Sequence, residues 1–392
     1  MVEVIRKSDT KNMEYCPIEK KCGSCQYISL PYEKQLQTKK QECIDLINQS
    51  RVKNIYVEDV VGMEVPYFYR NKVVVAFNQK YEYGFYEEDS HSIIPYKRCL
   101  LHEEESDLII KKIQQLFKKY KVSIYDKRNG YGLVRHVLIR RGVATNQTMI
   151  VLVCSDSFFQ GSKNFCNELI KQFPSIKTVV LNINRRDTSI VLGHEEKILY
   201  GKGFIIDKLN GLSFKISSRS FYQVNHKQCE ALYDKALSLL KLTGDEIVVD
   251  AFCGIGTIGM LVAEKVKQVI GVENNEDAVG DARNNAKYNQ IDNISFVCED
   301  ATNYLCRIAK MKQEVDIIIM DPTRNGSSIE FKEAVHQLHP KQILYISCNP
   351  KTLVRDVEYF KKLGYESDNL YIYDVFPQTK HIETIILLQS AK

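Results

Sequence analysis

No apolar run in this chain of 392 residues approaches the ~20 residues that a membrane-crossing helix needs. Residues 1–13 are polar and charged, with none of the apolar core of a secretory leader. A cytosolic protein without a membrane partner is therefore expected. There is no internal repeat and no low-complexity tract, which sets aside repeat architectures. Nor is there a marked excess of one charge. The formal net charge is +5 and the pI about 8.4, which permits a nucleic-acid partner without demanding one. Lys34, Lys39 and Lys40, the run from Lys111 to Lys121, and Arg135, Arg140 and Arg141 form basic clusters, each readable as a solvated face.

What is present is enough for two domains, with 44% hydrophobic and 26% charged residues. Twelve cysteines in a reducing compartment argue against structural disulfides. Cys43, Cys154, Cys166, Cys229, Cys298 and Cys306 each lie alone in apolar or helical stretches and read as buried small hydrophobes. Cys16, Cys22, Cys25, Cys99 and Cys348 break that pattern. The first three are spaced C-x5-C-x2-C with Cys99 as a distant fourth, which reads as a metal site. Four thiolates suit zinc or an iron–sulfur cluster, and the spacing leaves that choice open.

The pattern changes near residue 205. Before it, a helix at about 32–49 is followed by β-rich runs at Lys72 to Phe77, Val134 to Arg140, Met149 to Cys154 and Thr178 to Asn182. Their alternation predicts an antiparallel sheet with one solvated face. Beyond about 210, apolar runs alternate with helices: Glu246 to Asp250, Gln268 to Glu273, Ile294 to Val297, Val315 to Met320 and Gln342 to Ile346. This predicts a parallel sheet covered on both faces, with ligands at the carboxyl ends of its strands. The chain is accordingly expected to divide into residues 1–205 and 206–392.

The first of these strands runs into VVDAFCGIGTIGM, where Gly254, Gly256 and Gly259 are spaced G-x-G-x-x-G. Glu273 closes the second strand, 19 residues after Gly254, where a carboxylate can accept ribose hydroxyls. The pattern suits either a dinucleotide or S-adenosylmethionine. Asp250, four residues before the loop, could hold the amino group of a methionine moiety, which favours the latter. The fourth strand ends in DPTRNG and the fifth in SCNP, so Asp321 and Cys348 lie where ligands bind. A thiol there is a candidate nucleophile. Methylating carbon 5 of a uracil needs one, because addition to carbon 6 is what makes carbon 5 nucleophilic. Glu383, in HIETIILL, is a candidate for the base that removes the carbon 5 proton.

Together these residues resemble the RNA 5-methyluridine methyltransferase family along nearly the whole chain. The matching stretches include CPIEKKCGSCQ, YRNKVVVAF, GLVRHVLIR, SFYQVN, DAFCGIGTIGM, DPTRNG, YISCNP and HIETIILL. The resemblance implies an α/β chain. Its second domain would be a Rossmann-like S-adenosylmethionine methyltransferase domain, and its first an RNA-binding α+β domain carrying a cysteine-ligated cluster. It implies that Gln223, Phe252, Glu273, Asp300 and Asp321 bind S-adenosylmethionine, that Cys348 is the nucleophile, and that Glu383 accepts the proton. It also implies a [4Fe–4S] cluster on Cys16, Cys22, Cys25 and Cys99. One departure is Thr323, where the family usually has a second proline, and a more flexible lip is expected. Family members often begin with an oligonucleotide-binding barrel called TRAM. The cluster begins about fifteen residues into this chain, too early for such a barrel to precede it. The combination resembles the ribosomal-RNA branch more than the tRNA branch, and a monomer is expected. Cytosine C5-methylation, or a non-catalytic RNA-binding iron–sulfur protein on the same fold, are the alternatives.

Overall fold

The computed structural model describes residues 16–391 except 89, 91, 187 and 189. The apolar runs of the second half become strands because they can be buried on both faces. Ile247–Ala251, Gln268–Glu273, Ile294–Cys298, Ile317–Met320 and Gln342–Ser347 pair in parallel. Glu383–Ser390 then enters antiparallel beside Gln342–Ser347, and Asn369–Tyr373 pairs against it. Successive residues feed opposite cores: Val248, Ile317 and Leu344 pack into one apolar cluster, and Val249, Ile318 and Ile343 into the other. The helices that come after these strands start on side-chain caps. Asn275, Asp300, Ser328 and Asn349 each accept a backbone N–H from the first turn, which fixes where each loop ends at the sheet's carboxyl edge.

The expected division at 205 is crossed by earlier chain. Helix Tyr32–Gln49 packs Cys43 and Ile47 into the second of those clusters. Tyr56–Val61 adds a parallel edge strand beside Asn369–Tyr373, bringing this sheet to nine strands among the described residues. Farther along, the ribbon Phe204–Leu209 and Leu212–Ser217 joins the two halves. Asp207 accepts from Ala144 N on one side, while Asn285 and Asn289 accept from Lys215 N and Ser213 N on the other.

The first half carries a seven-stranded sheet among the described residues. It is antiparallel as expected, with one difference. Gln147–Cys154 and Ile176–Ile183 run parallel, joined by the crossover helix Ser162–Gln172. Helix Glu104–Lys119 buries Ile109, Ile110, Ile113, Leu116 and Phe117 and turns Lys111 and Lys118 outward, so the lysine run is a solvated face. Other basic positions are structural. Arg140 and Arg141 are buried, Arg141 pairing with Glu103 and Glu105, and Lys39 is buried against Asp374. Among the cysteines read as core, Cys43, Cys154, Cys166 and Cys229 are buried, whereas Cys298 is exposed and Cys306 half-buried. Both lie on elements with one face toward water. Among the described residues, no helix is long and apolar enough to cross a membrane.

Candidate active site

Strand register brings the predicted residues to one edge. Ala251 pairs with Val272 and with Met320. The next residues outward, Phe252, Glu273 and Asp321, therefore emerge level at the carboxyl edge. On the adjoining strands Ser347 pairs with Thr384, so the next pair outward is Cys348 and Glu383. Glu383 is flanked on its other side by Tyr373. Gln223 is half-buried before helix His226–Leu239. Its side chain bonds to Tyr233 of that helix, a residue within the field of Asp321 and Glu383.

The glycine loop is shaped for a ligand. Phe252 has φ 65°, a conformation costly for a residue with a Cβ, and its ring lies 5.5 Å from that of Phe331. Gly256 has φ +80°, and a Cβ there would sit 2.7 Å from the Phe296 ring. Gly254, at φ +55°, would meet nothing within 4 Å, so its backbone borders open space. Glu273 ties the loop down by accepting from Gly254 N at 3.1 Å and from Asn275 N at 2.9 Å. Asp250 is buried; one oxygen accepts from Gly259 N at 2.8 Å and the other has no hydrogen-bond partner among the described residues. Burial pushes its carboxyl up to about 7, against the Gly259 N–H. Asp300 is exposed and caps helix Ala301–Lys310, two residues beyond Cys298, the partner of Glu273.

Burial dominates the electrostatics around Cys348. It pushes the thiol up to about 11, aided by Glu383 and Asp321 and opposed by Arg324. Burial likewise lifts Asp321 to about 7. Glu383 is held well above the usual carboxylate range by burial first and by Asp321 next, with Arg324 opposing. Arg324 and Asn349 belong to the DPTRNG and SCNP motifs, yet nothing in the sequence marks either as part of the site. Arg324 Nη2 lies 3.2 Å from His381 Nδ1, and its carbonyl accepts from Asn349 Nδ2 at 2.9 Å and Thr352 Oγ1 at 3.2 Å. Arg355 Nη2 donates to Asn325 O at 2.9 Å. The turn containing Thr323 is thus braced by helix Pro350–Lys362 where a looser lip was expected.

Cys16, Cys22, Cys25 and Cys99 all line one cavity of about 360 Å³, together with Arg70 and Lys72. Burial and the neighbouring sulfurs push the Cys25 thiol up to about 12. Among the described residues, no three or more His, Cys, Asp or Glu side chains are gathered as ligands of a single metal ion.

Comparison with known proteins adds the family. Residues 181–391 match the family model described as tRNA (uracil-5-)-methyltransferase. A Clostridium tetani protein named an uncharacterized RNA methyltransferase is 37% identical over 391 residues, covering 99% of this chain and 85% of the relative. A Listeria monocytogenes serotype 4b protein of the same description is 38% identical over 376 residues, covering 95% and 83%. The structure of Pyrococcus abyssi tRNA (uracil-54, C5)-methyltransferase in complex with S-adenosyl-L-homocysteine superposes with a TM-score of 0.77 at 26% identity. That match covers 92% of this chain and 84% of the other. With its second half matched by the family model and relatives aligned along its length, the chain belongs to the tRNA (uracil-5-)-methyltransferase family and is an S-adenosylmethionine-dependent RNA uracil-C5 methyltransferase.

Proposed function

We propose that the enzyme methylates a uridine of large-subunit ribosomal RNA through a covalent bond between Cys348 and carbon 6, and that Cys16, Cys22, Cys25 and Cys99 hold a [4Fe–4S] cluster. The observation that carries the chemistry is the placement of Cys348 across from Glu383 on adjacent strands at the sheet's carboxyl edge. The Cys348 thiolate adds to carbon 6, and the electrons of the C5–C6 double bond move toward carbon 5 and O4 as an enolate. S-adenosylmethionine supplies an electrophilic methyl group, to which carbon 5 bonds. Glu383 then takes the carbon 5 proton. The electrons of that C–H bond restore the double bond and expel Cys348 as thiolate. Burial makes Glu383 a stronger base than a carboxylate in water, which suits this step. Because a stacked base hides the face that Cys348 must reach, the target uridine is unpaired or flipped out.

The open space at Gly254, the anchored Glu273 and the free oxygen of Asp250 fit the cofactor. Gln223, Phe252, Asp300 and Asp321 complete its contacts. The co-crystallised S-adenosyl-L-homocysteine in the Pyrococcus abyssi protein supports a cofactor site in this fold. Four sulfurs around a cavity, rather than converging on one point at the ~2.3 Å of a zinc–sulfur bond, fit a polynuclear cluster better than a lone zinc. Bound there, the cluster would tie the cysteine segment to the sheet at Cys99. Methyl transfer itself does not pass through it.

The cysteine set supports ribosomal RNA. A transfer-RNA uridine is the second reading, favoured by the tRNA enzyme among the structural matches. Mapping 5-methyluridine in both RNAs from a deletion strain decides between them: loss confined to transfer RNA selects the second reading. Stoichiometric zinc without sulfide in anaerobically purified protein overturns the cluster.

A further inference from the structure

We infer that the cysteine-bearing segment braces the catalytic base: it clamps the loop before Glu383 through Gln378, so the position of Glu383 depends on the fold of residues 16–27. The inference rests on the reading that Glu383 is the proton acceptor and that the four cysteines hold a cluster.

Strand Asn369–Tyr373 ends at Tyr373 and its antiparallel neighbour begins at Glu383, leaving residues 374–382 between them. A hairpin needs only two to five connecting residues and would normally run over the surface. Here Asp374, Val375, Gln378, Thr379 and Ile382 are all buried. A buried loop must find partners for its backbone. It finds them on other parts of the chain. Val375 O accepts from Asn225 Nδ2 at 2.9 Å, and Pro377 O from Tyr69 Oη at 3.0 Å. Lys39 Nζ donates to Phe376 O at 3.2 Å and pairs with Asp374 at 2.6 Å.

Gln378 is the centre of the clamp. Its carbonyl accepts from Tyr27 N at 2.9 Å. Its side-chain oxygen accepts from Gln35 Nε2 at 2.8 Å, and its own N–H donates to Gln35 Oε1 at 3.0 Å. Its Nε2 donates to Pro66 O at 3.1 Å. These bonds hold it at φ 69°, which a side chain with a Cβ adopts only when its surroundings impose it. Lys380 N also donates to Gln26 Oε1 at 3.3 Å. Gln26 and Tyr27 directly follow Cys25, and Gln378 lies five positions before Glu383.

The cysteine segment has little means of ordering itself. Its helix Glu19–Cys22 is one turn with no buried residue, and such a helix is not stable alone. Its order therefore comes from what the cysteines bind. Loss of the cluster should release Tyr27 and Gln26, and with them the loop that sets Glu383. Gln378 is a positioning residue in this scheme, and methylation depends on the cluster without the cluster entering the chemistry.

The test uses the full-length, anaerobically purified protein. Hydrogen exchange over residues 374–383 is measured by mass spectrometry before and after iron is removed with a chelator. Exchange there should rise by on the order of tenfold or more, while strands Ile247–Ala251 and Gln268–Glu273 stay unchanged. Gln378→Gly keeps the left-handed backbone and removes the amide. Iron-loaded Gln378→Gly should lose ~10²-fold in kcat, as a misplacement of about 1 Å costs, with little change in KM for the cofactor. It should also accumulate a methylated protein–RNA adduct, which a general loss of fold would not produce. Iron-loaded protein whose loop exchange ignores iron removal overturns the inference and leaves the cluster standing. Protein that never holds iron overturns the cluster. Gln378→Gly turning over like wild type, with no adduct, overturns the brace in either case.

Discussion

Replacing Glu383 by Gln isolates the last chemical step. The amide fills the same buried place, 5% exposed, opposite Cys348, but cannot accept a proton. Addition and methyl transfer precede proton removal, so both should proceed while elimination stalls. Loss of a general base costs ~10²–10⁴-fold in rate, or about 2.7–5.5 kcal/mol at 1.36 kcal/mol per decade. The structure points to the lower part of that range. Asp321 lies close enough to raise Glu383, and with its own carboxyl at about 7 it is ionised often enough to act as a poor substitute. We therefore expect a fall of roughly 10²–10³-fold. The assay is a single turnover with methyl-labelled S-adenosylmethionine and substrate RNA, followed by denaturing electrophoresis. Label should accumulate in a protein–RNA band that persists on denaturation and disappears in the Cys348→Ala, Glu383→Gln double variant. Normal turnover by Glu383→Gln, or an adduct that survives loss of Cys348, would refute the assignment of base and nucleophile.

Other outcomes rest on the same geometry. With its thiol lifted to about 11, Cys348 in the RNA-free enzyme should label with iodoacetamide at a rate that climbs about tenfold per pH unit from pH ~7 to ~10. A plateau near ~8.5, the value of a free thiol, would show that burial does not act on it. Lys39→Met leaves Asp374 buried without its cation and should cost ~3–5 kcal/mol, read as a shift of the urea midpoint at unchanged slope. The Lys39→Met, Asp374→Leu double variant should recover much of this, and equal losses in both would deny the pair. Glu273→Ala removes a carboxylate that also anchors Gly254, and should weaken S-adenosylmethionine binding by ~1.5–3 kcal/mol in calorimetry. Unchanged affinity would remove Glu273 from the cofactor site.

The site was legible in the sequence to the extent that a parallel sheet is. Apolar runs such as those ending at Ala251, Met320 and Ser347 name their own strands, and such strands deliver the residue after each of them to one edge. Phe252, Asp321 and Cys348 could therefore be grouped without knowing which strands are neighbours. Glu383 needed more. It begins a strand that runs the other way, and only the pairing of Ser347 with Thr384 puts it beside Cys348. The brace was out of reach. Helix Tyr32–Gln49 shows an amphipathic pattern, which says that it packs but not on what. Its pairing of Lys39 with Asp374 spans more of the chain than any local pattern covers. Arg140 and Arg141 misled for a related reason. Charge clusters read as surface unless their partners are known, and Glu103 and Glu105 reach Arg141 from a different element.

Burial acts on the two catalytic groups in the same direction with opposite consequences. It makes Glu383 a better base and leaves less of Cys348 as thiolate. Relative to a free thiol near ~8.5, a thiol at about 11 loses roughly 2.5 decades of ionisation at neutral pH. A more basic thiolate is intrinsically more nucleophilic, with a Brønsted slope of ~0.4–0.5, which returns about 1.1 decades. The remaining deficit is about 1.4 decades, or roughly 1.9 kcal/mol. One charge-assisted hydrogen bond contributes ~1.5–3 kcal/mol. Arg324 already acts on both Cys348 and Glu383, and lowers both. A movement of its guanidinium toward the sulfur as RNA fills the site would close the deficit. The same movement would take positive charge from Glu383 and leave that carboxylate the stronger base for proton removal.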